Sequence, residues 1–353
     1  MRNDTSLPLY LLLFILPLLG AGCFGAGLDS SKDGGLWYSS DAGKTWAQSL
    51  TIPTPTQIVQ GAHMDILDLA TDPEDPQALY AGTKDRGLLF SYDGGESWMR
   101  SPDQRAQRGS VQAVVVDPFD SCRVLYASKG KVLRSENCSR SFPDEVFAST
   151  ADQQEITDLE ADWFNEGTFY MSSTDGTIRK TMDGGDNWVT IYRRNQAISD
   201  VLVGNADSRV LLAGIHGAGI GRSADGGATW TLISDELKLY RDAGFVLGFD
   251  QDKRGSAIIA RTRYGLLGSQ DQGATWAPLE LLSAPREVMI DALALDPNDP
   301  NHIWYGVANT VFESTNAGGE WSVERLKTGR TISDILIKPD DANRMWVGVH
   351  RIE

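Results

Sequence analysis

Histidine is scarce in this chain. Four occur in 353 residues (His63, His216, His302 and His350), no two of them at the spacing of a metal site, so no metal centre is read from the sequence. It also lacks a Ser/His/Asp arrangement and a phosphate-cradling glycine loop between a strand and a helix; no cofactor and no activated nucleophile is expected. Basic charge is in deficit, with 32 Lys and Arg against 48 Asp and Glu and a formal net charge of −16. That excludes non-specific nucleic-acid binding, which needs cationic surface to displace counterions. Long apolar stretches with helical periodicity are missing as well. In their place stand 36 Gly and ten Trp, a composition suited to many short strands joined by tight turns around a packed core. The Asp-Gly-Gly sequences have the composition of calcium loops, but not the ligand periodicity of an EF-hand.

What is present is a repeat. The pattern Ser-x-Asp-x-Gly-x-Thr-Trp runs from Ser39 to Trp46 and again from Ser91 to Trp98, and further copies begin at Thr181, Ser223, Ser269 and Ser314 and end at Trp188, Trp230, Trp276 and Trp321. A worn copy, Ser135 to Phe142, fills the remaining gap, which makes seven copies spaced 42 to 52 residues apart. The Asp side chain can accept backbone N–H groups of its own turn, the Gly supplies the positive φ of a tight hairpin, and the Trp anchors the following strand. A period of about 45 residues matches one four-stranded propeller blade. The octapeptides are read as folding devices and not as a site.

Each repeat carries the rest of a blade. Asp65 to Thr71 and Ala78 to Gly82 are alternating apolar runs either side of an Asp/Pro turn, Gly87 to Phe90 leads into the octapeptide, and Trp98 opens a fourth strand. The same order recurs around Asp117-Pro118 and Asp296-Pro297. The N-terminal region supplies only a third and fourth strand (36–50) and the C-terminal region only a first and second (331–352), so one shared blade is expected to close the ring and remove its open edges. The expected fold is all-β, a single seven-bladed β-propeller over residues 35–353, preceded by an export signal (1–22) and a tether (23–34).

The export signal is read from Leu7 to Leu28, which contains no charge. Gly20-Ala21-Gly22 leading into Cys23 resembles a bacterial lipobox, with Gly20 standing where Leu is usual; lipidation of Cys23, an ordinary cleaved signal and an uncleaved anchor are the three alternatives. All three place the body outside the cytoplasm. Cys122 falls in the turn between strands one and two, and Cys138 in the octapeptide turn of the same blade, on the same face. In an oxidising compartment a Cys122–Cys138 disulfide is expected to staple the blade whose octapeptide is worn.

The seven octapeptides, the Asp-Pro turns and the Leu-Tyr-Ala-Gly strands resemble the Asp-box (BNR) propellers, which include sialidases, xyloglucan-cleaving glycoside hydrolases, sortilin-type receptors and the photosystem II stability/assembly factor family. The last is most similar in size. The resemblance implies an exported, often lipid-anchored ring that binds a protein partner. A sialidase would need a Phe-Arg-Ile-Pro motif before the first repeat, which is absent; the stretch Ile52-Pro53-Thr54-Pro55-Thr56 reads as a loop. Such motifs specify fold rather than function.

Charges placed on the inferred blades separate into two faces. Loops between blades and turns between strands two and three share the face opposite the octapeptides and carry Arg86, Lys129, Lys131, Arg193, Arg194, Arg261, Arg263, Arg330 and Arg351. These either form a basic mouth that recognises carboxylates through arginine forks or are merely solvated. Tyr264 is the aromatic expected to contact a peptide or sugar. Asp65, Asp158, Asp200, Asp291 and Asp334 stand at the start of strand one, and are expected near the axis as partners of the arginines, as acceptors for N–H groups of the neighbouring blade, or as ligand-binding carboxylates. The expected function is a tethered, non-enzymatic scaffold for a protein, an acidic peptide or a membrane complex; the alternative is a glycan-binding or glycan-hydrolysing propeller, in which two carboxylates would share the reaction.

Overall fold

The second strand of each repeat is apolar on both faces, as in Leu79–Thr83, Leu211–Ile215 and Met345–His350, and such a strand is stable only when covered on both sides. The computed structural model, which describes residues 33–54, 56–151 and 154–352, covers it by arranging seven four-stranded antiparallel sheets as the blades of a propeller. Cys23, the export segment and most of the tether lie outside the described residues. We number the blades from the N-terminus. Blade 1 joins the first strands of the ring, Gly35–Ser39 and Ala47–Gln48, to the last two, Thr331–Ile337 and Met345–His350, with Gly35 paired to Val349 and Ser39 to Met345. Blades 2 to 7 follow in order, their innermost strands being Ile66–Thr71, Ala113–Asp117, Ile156–Ala161, Ile198–Val203, Val246–Gln251 and Ala292–Asp296. The stretch read as a loop after blade 1 instead forms a small hairpin, Thr51–Pro53 with Ile58–Gln60; Ile52 enters the core and its partner Val59 packs half-buried against it, while Pro53, Ile58 and Gln60 stay exposed.

Neighbouring blades are packed by side chains between their sheets. Trp98, Trp304, Trp346, Tyr80, Tyr126 and Tyr170 are fully buried there. The fit is close: at Gly82 a Cβ would lie 2.6 Å from the carbonyl oxygen of Val111, and at Gly348 2.7 Å from Ile66 Cγ2, both in the following blade. This position of the second strand is therefore small in six blades, as Gly82, Ala127, Ser172, Gly214, Gly306 and Gly348.

The octapeptide turns share one hydrogen-bond plan. In blade 2 the Ser91 hydroxyl donates to Asp93 Oδ1 and accepts from Gly95 N–H, while Asp93 accepts from the Ser97 N–H and hydroxyl. The worn copy in blade 3 keeps the plan with other residues: Ser135 bonds Asn137 and Ser139, and Asn137 bonds Ser141 twice. Phe142 replaces the Trp and is fully buried. Cys122 and Cys138 form a disulfide in this blade.

Candidate functional site

The innermost strands enclose an axial channel with a cavity of about 610 Å³. In five blades a β-bulge interrupts the pairing of the innermost strand, between Ile66 and Asp68, Ile156 and Asp158, Ile198 and Asp200, Val246 and Gly248, and Ile332 and Asp334. A bulge re-aims side chains locally. The bulged residue and its successor both line the channel, so four of these blades present an Asp to it.

The true register therefore corrects the sequence reading. Asp158, Asp200 and Asp334 belong to the ring, together with Asp68, which was missed. Asp65 lies three residues too early: it is buried and accepts from the Arg330 guanidinium and the Arg351 backbone N–H, with the Arg351 side chain 3.3 Å away. Asp291 lies one residue before the equivalent position, Ala292, and accepts the Ala308 N–H of its own blade. Two further channel carboxylates, Asp250 and Glu160, come from a position two residues deeper. Period-two alternation along Asp158-Leu159-Glu160 and Gly248-Phe249-Asp250 was the available signal.

The ring Asp residues act across blades. Asp68 Oδ2 accepts the Val114 N–H, Asp158 that of Val201, Asp200 that of Phe249, Asp250 that of Leu295 and Asp334 that of Leu69, at 2.7 to 3.2 Å. Each donor lies on the innermost strand of the next blade, whose edge would otherwise leave that amide without an acceptor. Five of the seven blade junctions are stitched in this way.

Arg261 is the exception to the second-strand rule, and the reason lies opposite it. Gly248 occupies the ring position in blade 6 and pairs directly with Arg261. The exchange of Asp and a small residue for Gly and Arg lets the guanidinium cross into the channel, where it donates to the carbonyls of Ile290 and Asp291. A Cβ on Gly248 would stand 3.0 Å from Asp200 Oδ2 and 3.4 Å from Arg261 Nη2. Arg261 is thus a channel residue and not part of an open basic mouth.

Burial dominates the electrostatics. The carboxylates face the channel and retain some exposure, yet protein surrounds them on all other sides. Desolvation pushes Asp68, Asp158 and Glu160 well above the ordinary carboxylate range, reinforced by the neighbouring Asp334 and Asp200. Asp250 is raised to about 7 and Asp334 to about 6, burial again being the main cause. Burial also raises Asp200, opposed by its neighbour Asp158, by the Phe249 N–H and by Arg261. Burial lowers Arg261, opposed by Asp200, Asp334 and Asp291.

The remaining predicted basic residues are dispersed. Arg86 sits 3.6 Å from its neighbour Asp85, and Lys131 pairs at 2.6 Å with Glu145 on the outer strand of its blade. Lys129 is exposed in a left-handed turn (φ 56°), Arg193 is exposed at the end of an outer strand, and Arg194 Nε is buried without a hydrogen-bond partner. Arg330 is buried between Asp33 and Asp65. One group does converge. Arg263 lies over the Phe245 ring at 4.3 Å, His216 meets the same ring edge-on, and Tyr264 contacts Tyr240 at 5.3 Å. Beside them a cavity of about 290 Å³ is lined by Tyr240, Phe245, Lys238, Arg241 and the glycines 217 and 244. Among the described residues no cluster suited to a metal ion occurs.

No protein-family profile matches the sequence, and no curated protein matches it. Solved structures match its fold. A GH74 enzyme of Niastella koreensis aligns with a TM-score of 0.66 at 16% identity over 81% of this chain and 51% of that one. A structure described as YCF48 bound to D1 peptide aligns with a TM-score of 0.62 at 17% identity, covering 82% and 93%. YCF48 from Cyanidioschyzon merolae aligns at 0.60 and 15% identity, covering 84% and 98%. The chain spans about half the length of the GH74 enzyme and nearly all of YCF48. At these identities the likeness establishes the fold alone.

Proposed function

We propose that the protein is an exported, membrane-tethered binding propeller with no reaction of its own, which holds a protein or an acidic peptide in the manner of an assembly factor. The observation that carries this reading is the cluster between blades 5 and 6, on the face opposite the octapeptide turns. A guanidinium laid on an aromatic ring, as Arg263 is on Phe245, keeps its N–H fork available to a carboxylate. Tyr240, Tyr264 and the adjoining cavity offer rigid apolar contact, with Arg241 and Lys238 at its rim. The likeness to YCF48, solved with a peptide, supports a peptide as the kind of ligand; the uncharged segment from Leu7 to Leu28 and Cys23 support export and tethering. The channel acids support a role without catalysis, since most already serve as acceptors for the neighbouring blade.

The test is cross-linked co-purification from membranes, comparing the wild type with Arg241→Glu/Arg263→Glu. Both side chains are exposed, so the ring should fold. Partner recovery is expected to fall at least tenfold, and undiminished recovery with the folded variant sinks the reading.

One observation favours a second reading, a glycan-active propeller. Asp158 and Asp200 are neighbouring carboxyls in a channel large enough for a sugar, with Asp158 pushed well above the ordinary range by burial and by Asp200, and two carboxyls of unequal acidity are what glycoside hydrolysis uses. It predicts turnover on a glycan panel that Asp200→Asn abolishes.

A further inference from the structure

The channel has a second mouth, on the octapeptide side, and its rim is built by a repeat of its own. The first turn of every blade places one residue there: Pro339, Pro73, Pro118, Trp163, Asn205, Lys253 and Pro297 all line the channel. In five blades the preceding Asp fixes the turn by accepting the N–H two residues on, as Asp117 does from Phe119 and Asp162 from Phe164. Such a cap holds the intervening residue towards the axis and the following one towards solvent. In blades 3 and 4, which are neighbours, the consequence is three large apolar side chains in the open: Phe119 is 51% exposed, Trp163 40% and Phe164 54%. None of them belongs to the core clusters, and large apolar side chains exposed together on the turns of adjacent blades mark an interaction site.

The surrounding charge selects the occupant. Glu74 and Asp75 of blade 2 and Glu166 of blade 4 are exposed on the same turns, while the exposed cations Lys253 and Arg254 stand on the turn of blade 6, away from the three rings. An anionic surround disfavours anionic lipid headgroups and favours a cation whose apolar flank can lie on the rings. We propose that this collar docks a segment of a partner protein in which an aromatic or aliphatic residue is flanked by lysine or arginine. The apolar residue packs on Phe119, Trp163 and Phe164, and its basic neighbours face Glu74, Asp75 and Glu166. The site lies on the opposite face from the Arg263 cluster and takes the opposite charge, so either can fail alone.

The experiment is fluorescence anisotropy with dye-labelled Lys-Phe-Lys-Phe-Lys and Glu-Phe-Glu-Phe-Glu peptides at low salt, using the whole protein. The basic peptide is expected to bind at least tenfold more tightly than the acidic one. Trp163→Ser/Phe164→Ser should weaken it at least tenfold, while Ile58→Ser, at an apolar residue 70% exposed elsewhere, leaves it unchanged. Circular dichroism confirms that the variants fold. Equal binding of the two peptides, retention of affinity by the double variant, or capture by phosphatidylglycerol vesicles instead of the peptide would each overturn the proposal.

Discussion

Arg330 has a side chain 1% exposed, and its guanidinium meets Asp33, Asp65 and the carbonyl oxygens of His63 and Met64. These partners belong to the N-terminal part of the chain, so one residue near the end fastens the seam of the ring. Removing one member of a buried ion pair leaves the other without compensation, at about 3–5 kcal/mol. Arg330→Ala should lower stability by that amount in urea denaturation followed by tryptophan fluorescence; a loss below about 1 kcal/mol would show that the two carboxylates find other partners. At this scale the sequence was least legible. Asp65 and Asp291 share a residue type with the ring acids, and only the bulge position separates them from Asp68 and Asp334. Arg261 looked like one more loop cation, because its entry into the channel depends on Gly248, thirteen positions away, becoming its cross-strand partner.

Blade 3 combines the worn octapeptide with the disulfide. The fifth octapeptide residue is a left-handed glycine in the other six turns, as at Gly95 (φ 82°), and the fourth is glycine in some, as at Gly94 (φ 69°), and Ala or Gln in others; this turn holds Cys138 and Ser139 at the two positions, at 55° and 60°. A side chain in that region costs roughly 1–2 kcal/mol. The disulfide closes a loop of 16 residues, which in the chain-entropy picture stabilises by about 3 kcal/mol and offsets that strain. Cys122→Ser/Cys138→Ser is therefore expected to lose about 3 kcal/mol, and Cys122→Ser/Cys138→Gly measurably less, both read as denaturation midpoints. Equal losses would assign the whole effect to the crosslink. Blades were the legible element: a turn motif is local chemistry, so seven octapeptides announce seven hairpins even where Asn137 and Phe142 replace Asp and Trp. The hairpin at Thr51–Gln60 was not legible, because its strands have three residues each and two Pro break the pattern.

Across the whole molecule the stitched acids make the ring sensitive to pH. A carboxyl raised to about 7, as Asp250 is, or to about 6, as Asp334 is, holds its proton in the folded state while the unfolded chain has released it. The stability so contributed is complete below pH 4 and is lost as pH rises through 6 to 7. The octapeptide acids act in the opposite sense. Asp183 and Asp225 are held down to about 2 by the side chains and backbone of Asn187 and Thr229, and their contribution is lost as pH falls below 4. The urea midpoint should therefore be higher at pH 5 than at pH 8, and Asp250→Asn should flatten that slope; an unchanged slope would remove Asp250 as its source. The closing blade also sets how the ring would respond to mechanical load. Gly35 and Val349, close to the two ends of the ring, are direct cross-strand partners at one extremity of the seam. Tension applied through them acts across the strands and loads one hydrogen-bonded pair at a time, so the propeller should unzip at low force rather than resist in shear.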